Sequence, residues 1–385
     1  MPTLVLADLH LLSTGDPAPA RDLAALLVAE RDAHVVFAGD ALDLAAEGAA
    51  SPTAAVQRSL SRAPELTAAL SERAGRGVRT TFVRGNHDAA LATEEGRRAL
   101  HDALGLSPSD RGSVVCEPWL VRLAGGAVHV EHGHVFDPDS APSHPLAPDP
   151  RDDVGICILR RFIVPVGAHA LVHRNSEAPL PLLARVVRMF GPRAPLIVAR
   201  YVAAALGTVV ASGKRFPLLD DRARGGELLR LYAEDAGMDS ETLEMLVGAH
   251  ATPTRARATA TFLRLYLDRV AATGALVAGG ALGLATSGAM GHAGMSIAAL
   301  GALSLAGSIV LGANRYAGRT HRALAEGAER TAEITGARTV VLGHVHVDAE
   351  GPRYRNTASF AFAKRPEGRP YLRVEDDGSV ARAWA

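Results

Sequence analysis

The sequence predicts an α/β domain that is interrupted by a large helical insertion, and three observations predict this fold class. Strand-like and helix-like segments alternate over residues 1–140. The pattern is mainly helical from residue 154 to residue 335. Strand-like segments then return in residues 336–385. We therefore expect one domain to be formed by residues 1–140 and 336–385, with residues 141–335 as an insertion.

The first part of that domain contains short apolar runs that lead into polar residues. Leu4–Ala7, Val35–Ala38 and Thr80–Val83 are such runs, which are typical of buried strands in an α/β sheet. Helices are predicted at Arg21–Ala29 and Pro52–Ala74, on either side of the second strand.

A hairpin and three closing strands complete the predicted sheet structure. Val114–Leu123 and Val128–Glu131 flank the turn sequence "AGG", which predicts a β-hairpin. The closing strands are expected at Tyr354–Phe360, Tyr371–Val374 and Ser379–Ala383.

Composition excludes some classes of protein. Lysine plus arginine equals aspartate plus glutamate, 41 of each, so the net charge gives no reason to expect a nucleic-acid partner. Cys116 and Cys157 are the only cysteines, which excludes a disulfide framework and suits a reducing cytoplasm. The N-terminal residues lack a basic region followed by a long apolar run, so we expect no signal peptide.

Polar clusters follow five of the predicted strands, and most of them contain glycine. Loops at the carboxyl ends of strands are where α/β sheets place ligands. The clusters offer carboxylate, amide and imidazole donors, which suit manganese, iron, zinc or nickel better than calcium. The five clusters are Asp8 with His10, Gly39 with Asp40, Gly85 through Asp88, His132 with His134, and Gly343 with His344 and His346.

In this order, the motifs D-x-H, G-D, G-N-H-D, H and G-H-x-H resemble those of the calcineurin-like metallophosphoesterase family. The resemblance covers the two outer segments of the chain, and all five motifs are intact. It implies a β-sandwich flanked by helices that holds two divalent metal ions, with Asp40 bridging them. The implied ligands are Asp8, His10, Asp40 and His346 for one ion, and Asp40, Asn86, His132 and His344 for the other. His134 is the alternative to His132, which we prefer because it directly follows a strand.

The resemblance also implies a hydrolase that cleaves a phosphoester or phosphoanhydride bond. Two metal ions lower the pKa of a bridging water, and the resulting hydroxide attacks phosphorus. His87 is the expected proton donor to the leaving group, with a structural histidine as the alternative. Asp88 would orient His87 or the loop backbone, and Arg84 would contact a phosphate oxygen or lie solvated at the surface. We expect manganese first, with iron, zinc, nickel or magnesium as alternatives.

The insertion contains a stretch without any charged residue, at residues 270–314. Val270–Thr286 and Ala293–Ala313 each have about the length that spans a bilayer, and "SGAMGH" between them predicts a turn. Arginines lie on both outer sides of the pair, which predicts a membrane hairpin with both ends in the cytoplasm. The alternative is a hairpin buried inside a soluble protein or a homo-oligomer interface.

A second part of the insertion is basic and apolar. Between Ala178 and Leu219 there are six basic residues and no acidic residue, which predicts helices that lie on an anionic lipid surface. Ordinary helices with solvated arginines are the alternative.

The position of the insertion, after the His132 motif, resembles that of the helical lid of UDP-2,3-diacylglucosamine hydrolases, although some of those enzymes have arginine where this chain has His87. We therefore expect a phosphoesterase at the cytoplasmic face of the membrane that acts on a lipid or lipid-linked phosphate. One alternative is a soluble enzyme for nucleotides or other small phosphoesters. The other is a non-catalytic binding module, which the intact motifs disfavour.

Overall fold

A computed structural model describes residues 1–147, 153–168, 179–310, 312, 315–316, 318–363 and 365–385. It divides into two compact units. The sheet unit consists of Met1–Ile156, Pro217–Pro253 and Thr320–Ala385, and the helical unit consists of Cys157–Phe216 and Thr254–Arg319. Residues 217–253, which lie inside the predicted insertion, thus belong to the sheet unit.

The strands all lie in the sheet unit. They are β1 (Thr3–Leu6), β2 (His34–Ala38), β3 (Thr80–Val83), β4 (Val114–Glu117), β5 (Leu120–Leu123), β6 (Val128–Glu131), β7 (Thr339–Leu342), β8 (Tyr354–Asn356), β9 (Pro370–Val374) and β10 (Val380–Trp384).

Two sheets are formed. The first has six strands in the order β10-β9-β1-β2-β3-β4, and β1 to β4 run parallel to one another. The second has four strands in the order β5-β6-β7-β8, with β6, β7 and β8 parallel and β5 antiparallel to β6. The carboxyl ends of β1, β2 and β3 therefore share one edge, as do those of β6 and β7.

The helices are distributed over both units. In chain order they are α1 (Ala18–Ala29), α2 (Pro52–Ser61), α3 (Pro64–Gly75), α4 (Glu94–Ala103), α5 (Val154–Ile158), α6 (Val164–Val166), α7 (Pro179–Phe190), α8 (Ala194–Val210), α9 (Leu218–Ala236), α10 (Ser240–Ala249), α11 (Ala258–Arg264), α12 (Leu267–Ala285), α13 (Gly288–Val310) and α14 (Arg319–Thr335).

The two sheets pack face to face between layers of helices. On one face of the first sheet, Leu4 packs with leucines of α1, α3 and α4. On its other face, Val5 packs with Val130 of the second sheet. On the far side of the second sheet, Val340 packs with Leu324 of α14. Because the side chains of a strand alternate between faces, each central strand contributes to two cores. The predicted mixed α/β sandwich with flanking helices is confirmed.

Three elements differ from their predictions. The strand predicted over Tyr354–Phe360 ends at Asn356, as β8. The helix predicted over Pro52–Ala74 is two helices, because Pro64 has no amide hydrogen to continue α2 and instead begins α3. The strand predicted over Val114–Leu123 is also divided: β4 lies in the first sheet and β5 in the second, with Pro118 and Trp119 between them. Only β5 forms the expected hairpin with β6.

In the helical unit, α12 and α13 form a closely packed hairpin. A Cβ atom on Gly294 would collide with the backbone of Gly279 and Gly283, and one on Gly301 would collide with the backbone of Ala272. The turn is shorter than predicted, because α13 already begins at Gly288. Residues 311, 313 and 314 of the predicted hairpin lie outside the described residues.

Three segments of the described chain are long and apolar enough to cross a membrane. They are Ala184–Val210, Leu267–Ala285 and Gly288–Val310. The last two correspond to the predicted hairpin, and the first includes α8 and part of α7. Little of each segment is buried: 28%, 17% and 17% of the residues in their most apolar stretches, in that order.

Candidate metal centre

The five polar clusters meet where the two sheets face each other. The loops after β1, β2 and β3 carry Asp8 with His10, Asp40, and Asn86 with His87. The loops after β6 and β7 carry His132, and His344 with His346. Short apolar strands end at the same edge, and each chain turn that follows places its polar side chains in the gap between the sheets.

Three triads of side chains have ligand atoms that all lie within 4.8 Å of one another. They share members, so they form one continuous cluster rather than separate sites. The triads are Asp8, His10 and His346; His10, Asp40 and His87; and Asp8, Asp40 and His132.

One end of the cluster is formed by Asp8, His10 and His346. His346 Nε2 lies 3.3 Å from Asp8 Oδ1 and 3.1 Å from His10 Nε2. The His344 amide donates a hydrogen bond to Asp8 Oδ2 at 3.0 Å, which holds the carboxylate in place. This arrangement offers a carboxylate and two imidazoles to one cation.

Asp40 lies between the two ends of the cluster. Its Oδ2 atom is 3.2 Å from His132 Nε2 and 3.8 Å from His10 Nε2. Its Oδ1 atom accepts a hydrogen bond from the His87 amide at 2.9 Å. Asp40 is therefore placed to be shared by cations on both sides.

Two of the imidazoles are fixed through the ring nitrogen that does not face the cluster. His132 Nδ1 donates to the carbonyl oxygen of Ala38 at 2.9 Å, so its Nε2, beside Asp40, is the nitrogen left to bind a cation. His344 Nε2 lies 3.2 Å from Asp137 Oδ2, which selects its Nδ1 as the acceptor. Metal-binding histidines commonly use one nitrogen in this way to orient the other.

The backbone at the cluster is left-handed at several positions. Eight described non-glycine residues have positive φ, and five of them are predicted metal ligands. Such a backbone costs roughly 1–3 kcal/mol per residue, so it persists where the surrounding structure imposes it, often at functional sites. The five are Asp8 (57°), His10 (45°), Asp40 (52°), His344 (72°) and His346 (57°).

Glycine is needed at two positions because the loops approach each other closely. A Cβ atom on Gly39, where φ is 89°, would collide with the His132 ring. A Cβ atom on Gly85 would collide with Asp40 Oδ1. Any larger residue at either position would displace a predicted ligand.

The carboxylates of the cluster attract positive charge. Burial raises the pKa of Asp40, but the nearby charges of His132, His87 and His10 hold it well below its usual value. Burial lowers the pKa of His132, but Asp40 raises it to about 9. The carboxylates thus draw protons onto the imidazoles, and a bound divalent cation would release those protons.

Asn86 and His344 lie at the cluster but in none of the three triads. Asn86 Nδ2 donates to Asp153 Oδ2 at 3.1 Å, while its buried Oδ1 atom has no hydrogen-bond partner among the described residues. A buried amide oxygen without a partner costs free energy unless a cation or ligand group occupies its site. The donor set therefore fits divalent metal ions.

His87 pairs with an aspartate that lies outside the predicted site residues. Its Nδ1 atom lies 2.7 Å from Asp43 Oδ1. Burial lowers the pKa of His87, but the charges of Asp43 and Asp40 raise it to about 10. The imidazole is therefore kept protonated, as a proton donor must be.

Asp88 contacts loop backbone rather than His87. Its Oδ1 atom accepts from the Gly85 amide at 2.7 Å, and its Oδ2 atom accepts from the Ala41 amide at 2.8 Å. Burial, with the charge of Asp40, raises the pKa of Asp88 to about 7. Asp88 thus joins the loop after β2 to the loop after β3.

Arg84 and His134 are both buried beside the cluster. Arg84 Nη1 donates to the carbonyl oxygen of Pro145 at 2.9 Å, and burial lowers the pKa of Arg84 to about 10. The His134 ring is centred 5.3 Å from that of His132, but His134 belongs to none of the triads. Burial, with the charges of His132 and Arg84, holds the pKa of His134 well below its usual value, so its ring is neutral.

Three aspartates that orient predicted site residues were not predicted. Asp43 follows Asp40 by three residues, and Asp137 follows His134 by three residues, so short spacing was the available signal for both. Asp153 lies in a Pro- and Asp-rich stretch, where neither spacing nor periodicity distinguishes one carboxylate from the next.

Comparison with known proteins agrees with this geometry. A family model described as calcineurin-like phosphoesterase matches residues 1–173. That segment includes four of the five polar clusters and ends near the boundary of the sheet unit. A search of curated proteins found no match.

Proposed function

We propose that this chain, whose residues 1–173 match the calcineurin-like phosphoesterase model, is a metal-dependent hydrolase of phosphoester bonds. It would hold two metal ions and act on a lipid or lipid-linked phosphate at the membrane. The cluster of carboxylates and imidazoles around Asp40 is the observation that supports the activity. The exposed apolar surface of the α12–α13 hairpin supports the location.

We assign the ligands from the motif order and the geometry together. Asp8, His10, Asp40 and His346 would hold one ion, and Asp40, Asn86, His132 and His344 would hold the other. When bound, the two ions supply an activated water nucleophile and neutralise charge that develops on the phosphoryl oxygens. We expect manganese, because the mixture of carboxylate, amide and imidazole donors suits a borderline divalent ion.

The protein's own residues would position the substrate and move a proton. His87, kept protonated by Asp43, would donate a proton to the leaving-group oxygen. Asp88 would hold the two loops that carry His87 and Asp40 at a fixed separation. Arg84 is buried next to this loop, and its charge would favour a bound phosphate.

The hairpin would anchor the enzyme in the bilayer. Leu284, Leu300, Leu303 and Val310 are 87%, 65%, 71% and 85% exposed, so its outer surface is apolar. No charged residue occurs between Val270 and the end of α13. Arginines flank the hairpin on both sides, so both of its ends, and with them the catalytic domain, would lie in the cytoplasm.

Segment Ala184–Val210 would lie on the membrane surface rather than cross it. Its arginines are spread along its length, whereas a spanning helix keeps charge at its ends. Val187 and Met189 are exposed, as are Arg185 and Arg188, so α7 presents both apolar and basic side chains on its exposed sides. This composition suits the interface between hydrocarbon and anionic headgroups.

A substrate panel tests this proposal. Manganese-loaded full-length protein in detergent would be given a lipid-linked pyrophosphate, a lipid phosphomonoester, a soluble nucleotide and bis-p-nitrophenyl phosphate. We expect the highest kcat/KM on one of the lipid substrates. A preference for the soluble nucleotide would contradict the lipid assignment while leaving the hydrolase intact, and inactivity on all four would contradict both.

A further inference from the structure

A pocket of about 210 Å³ lies next to the proposed metal centre, within the sheet unit. His346, one of the proposed metal ligands, is among the residues that line it, so we call it the His346 pocket. A group bound in this pocket would therefore lie beside a phosphate held at the metal centre. The lining also includes Val347 and Asp348 after β7, Ala358 after β8, Arg365, Pro370 of β9 and Trp384 of β10.

Part of the lining is apolar. Trp384 lies directly opposite Pro370 in the antiparallel pair of β10 and β9, so their side chains share one face of the sheet. Val347, which also lines the pocket, is 48% exposed. Pockets for small molecules are lined mainly by apolar and aromatic side chains, with a few polar groups that orient the ligand. The apolar part of this lining suits the flat face of a ring.

Arg365 adds hydrogen-bond donors to the same pocket. Its guanidinium carbon lies 5.2 Å from the centre of the Trp384 ring. Asp348 is bound more closely by Arg382, whose Nη2 donates to Asp348 Oδ1 at 2.7 Å, than by Arg365, whose Nη2 lies 3.5 Å from Oδ2. The Arg365 side chain is 52% exposed. Stacking on an aromatic ring orients a guanidinium, and its N–H groups can then bind hydroxyl oxygens of a ligand.

The backbone at the pocket is held by contacts within the protein. Ala358 is 1% exposed and has a left-handed φ of 57°. Its amide donates to Asn356 Oδ1 at 2.9 Å, and Arg382 Nη1 donates to the carbonyl oxygen of Thr357 at 2.7 Å. A left-handed backbone at a residue other than glycine persists where the surrounding structure imposes it, often at functional sites. The pocket is therefore largely preformed, which lowers the entropic cost of binding.

The pocket and the proposed proton donor lie at the same end of the metal cluster. The His10 ring is centred 4.7 Å from that of His87 and 5.0 Å from that of His346. The Phe362 ring is centred 5.8 Å from that of His10 and 5.5 Å from that of His346, and Phe362 is 52% exposed. An oxygen that takes a proton from His87 would thus lie close to the His346 pocket, with the apolar surface of Phe362 beside it.

We propose that the His346 pocket binds the leaving group of the substrate, and that this group is a single ring with hydroxyl substituents. The ring face would pack on Trp384, and the hydroxyl groups would accept hydrogen bonds from Arg365. The P–O bond to the ring breaks as water adds to phosphorus, and the oxygen that leaves with the ring takes the proton of His87. This inference rests on the proposed function, whose leaving group it specifies.

The size of the pocket selects a ring over a lipid chain or a whole nucleotide. Pockets that enclose whole small molecules have volumes of roughly 300–1,000 Å³. At about 210 Å³ the His346 pocket holds only part of a substrate. In a lipid-linked substrate the lipid would therefore stay on the phosphate product, and the ring headgroup would be released.

Equilibrium binding tests the pocket without any turnover. Manganese-loaded full-length protein in a neutral detergent would be titrated by calorimetry with myo-inositol 1-phosphate or with ethyl phosphate, which carry the same phosphate on a ring or on a short chain. We expect the ring compound to bind roughly tenfold more tightly, the difference expected for one good aromatic contact. Equal affinities, or no binding of the ring compound, would overturn the proposal.

Trp384→Ala should abolish that difference, while Trp384→Phe keeps an aromatic face and should retain most of it. The control Leu231→Ala removes an apolar side chain that is 67% exposed on α9, outside the pocket, and should bind both compounds as the unaltered protein does. The Tm of each variant, measured on the same samples, reports folding. A folded Trp384→Ala variant that still prefers the ring, or a phenylalanine variant no better than the alanine variant, would contradict packing on Trp384.

Arg365→Gln tests the contact with the hydroxyl groups. It should weaken binding of myo-inositol 1-phosphate about threefold to tenfold and leave ethyl phosphate unaffected, since only the ring compound has hydroxyl groups for Arg365 to bind. An equal loss for both compounds would indicate that Arg365 attracts the phosphate and would contradict the proposed contact.

Hydrolysis of bis-p-nitrophenyl phosphate, whose leaving group is also a single ring, separates this inference from the proposed function. Trp384→Ala should raise KM about tenfold and change kcat little, because it removes binding that the ground state and the transition state share. A fall in kcat at constant KM would contradict a binding role. Absence of hydrolysis in the unaltered protein would refute the proposed function, whereas normal hydrolysis without a preference for the ring compound would refute the pocket alone.

Discussion

At the residue scale, Asp40 is the side chain that joins the two ends of the cluster. Its two oxygens face His132, His10 and the His87 amide. On the proposed two-metal assignment, Asp40→Ala should therefore abolish hydrolysis and lower the bound metal from two ions per chain toward one or none. Metal content by mass spectrometry, alongside kcat, measures both effects. Full activity in this variant would exclude a shared ligand at Asp40.

His87 can be tested as a proton donor through the leaving group. On the proposed assignment, His87→Ala should keep both metal ions but lose roughly 10²–10⁴ in kcat on an alkyl phosphoester, the usual range for general acid catalysis. The loss should be much smaller with p-nitrophenol, which leaves without protonation. A loss of the same size for both leaving groups would indicate that His87 has a structural role and is not the proton donor.

The pair formed by His87 and Asp43 predicts a pH effect of definite sign. The pKa of His87 is raised to about 10 because Asp43 and Asp40 outweigh the effect of burial, so the proton is present below that pH and is lost above it. Asp43→Asn removes one of the charges that raise the pKa of His87, lowers that pKa, and should move the alkaline limb of kcat to lower pH. If the alkaline limb of the pH–rate profile does not move, that limb does not report the ionisation of His87.

Much of the candidate site could be predicted from the sequence because its residues lie in short motifs directly after strands. Asp8 with His10, and His344 with His346, are recognisable as pairs at i and i+2. The left-handed backbone at these positions could not be predicted, since nothing in the residue types requires it. Asp153 could not be predicted either, because its hydrogen bond with Asn86 joins two residues that are far apart in the sequence and meet only in the folded chain.

At the scale of elements, strands could be predicted where an apolar run stops at a polar residue, as at Leu6 and Val83. The division of Val114–Leu123 between two sheets could not, because sheet membership depends on which distant strand offers a partner. β4 pairs with β3, whereas β5 pairs with β6. A helix end marked by proline, such as Pro64, is visible in the sequence, but the helical pattern continues on both sides of it.

The hairpin makes a prediction about its own insertion. Val277 and Leu300 lie near the middles of α12 and α13 and are each 65% exposed, so arginine there would not disturb packing between the helices. Val277→Arg/Leu300→Arg should still weaken insertion, because a central arginine costs roughly 2.5–3.5 kcal/mol per helix. The fraction of protein recovered in membranes measures this.

Leu219→Arg is the control for that variant. Leu219 is 77% exposed but lies at the start of α9 in the sheet unit, so it should leave membrane recovery unchanged. Hydrolysis of a soluble phosphoester should survive in both variants, since the proposed metal ligands lie in the sheet unit. Equal recovery of the hairpin variant and the control would favour a hairpin that is not in lipid.

At the scale of the whole molecule, the proposed attachment predicts how the protein leaves the membrane. High salt screens charge and, like an alkaline carbonate wash, releases proteins held by basic surfaces alone, but neither wash extracts inserted helices. We expect the full chain to stay in the pellet through both washes and to require detergent. A detergent-free soluble monomer would exclude the membrane hairpin, and a detergent-free oligomer would favour the alternative of a protein interface.

The strand order of the first sheet has a consequence for biosynthesis. β1 is paired on one side with β9. The sheet that contains the start of the chain is therefore incomplete until Pro370–Val374 has been synthesised. The proposed metal centre also joins Asp8 to His346, with the hairpin between them in sequence. During translation the hairpin therefore emerges, and on our proposal enters the bilayer, before the ligand set exists. The nascent enzyme would therefore be inactive when it reaches the membrane. Its hydrolytic centre would be completed there.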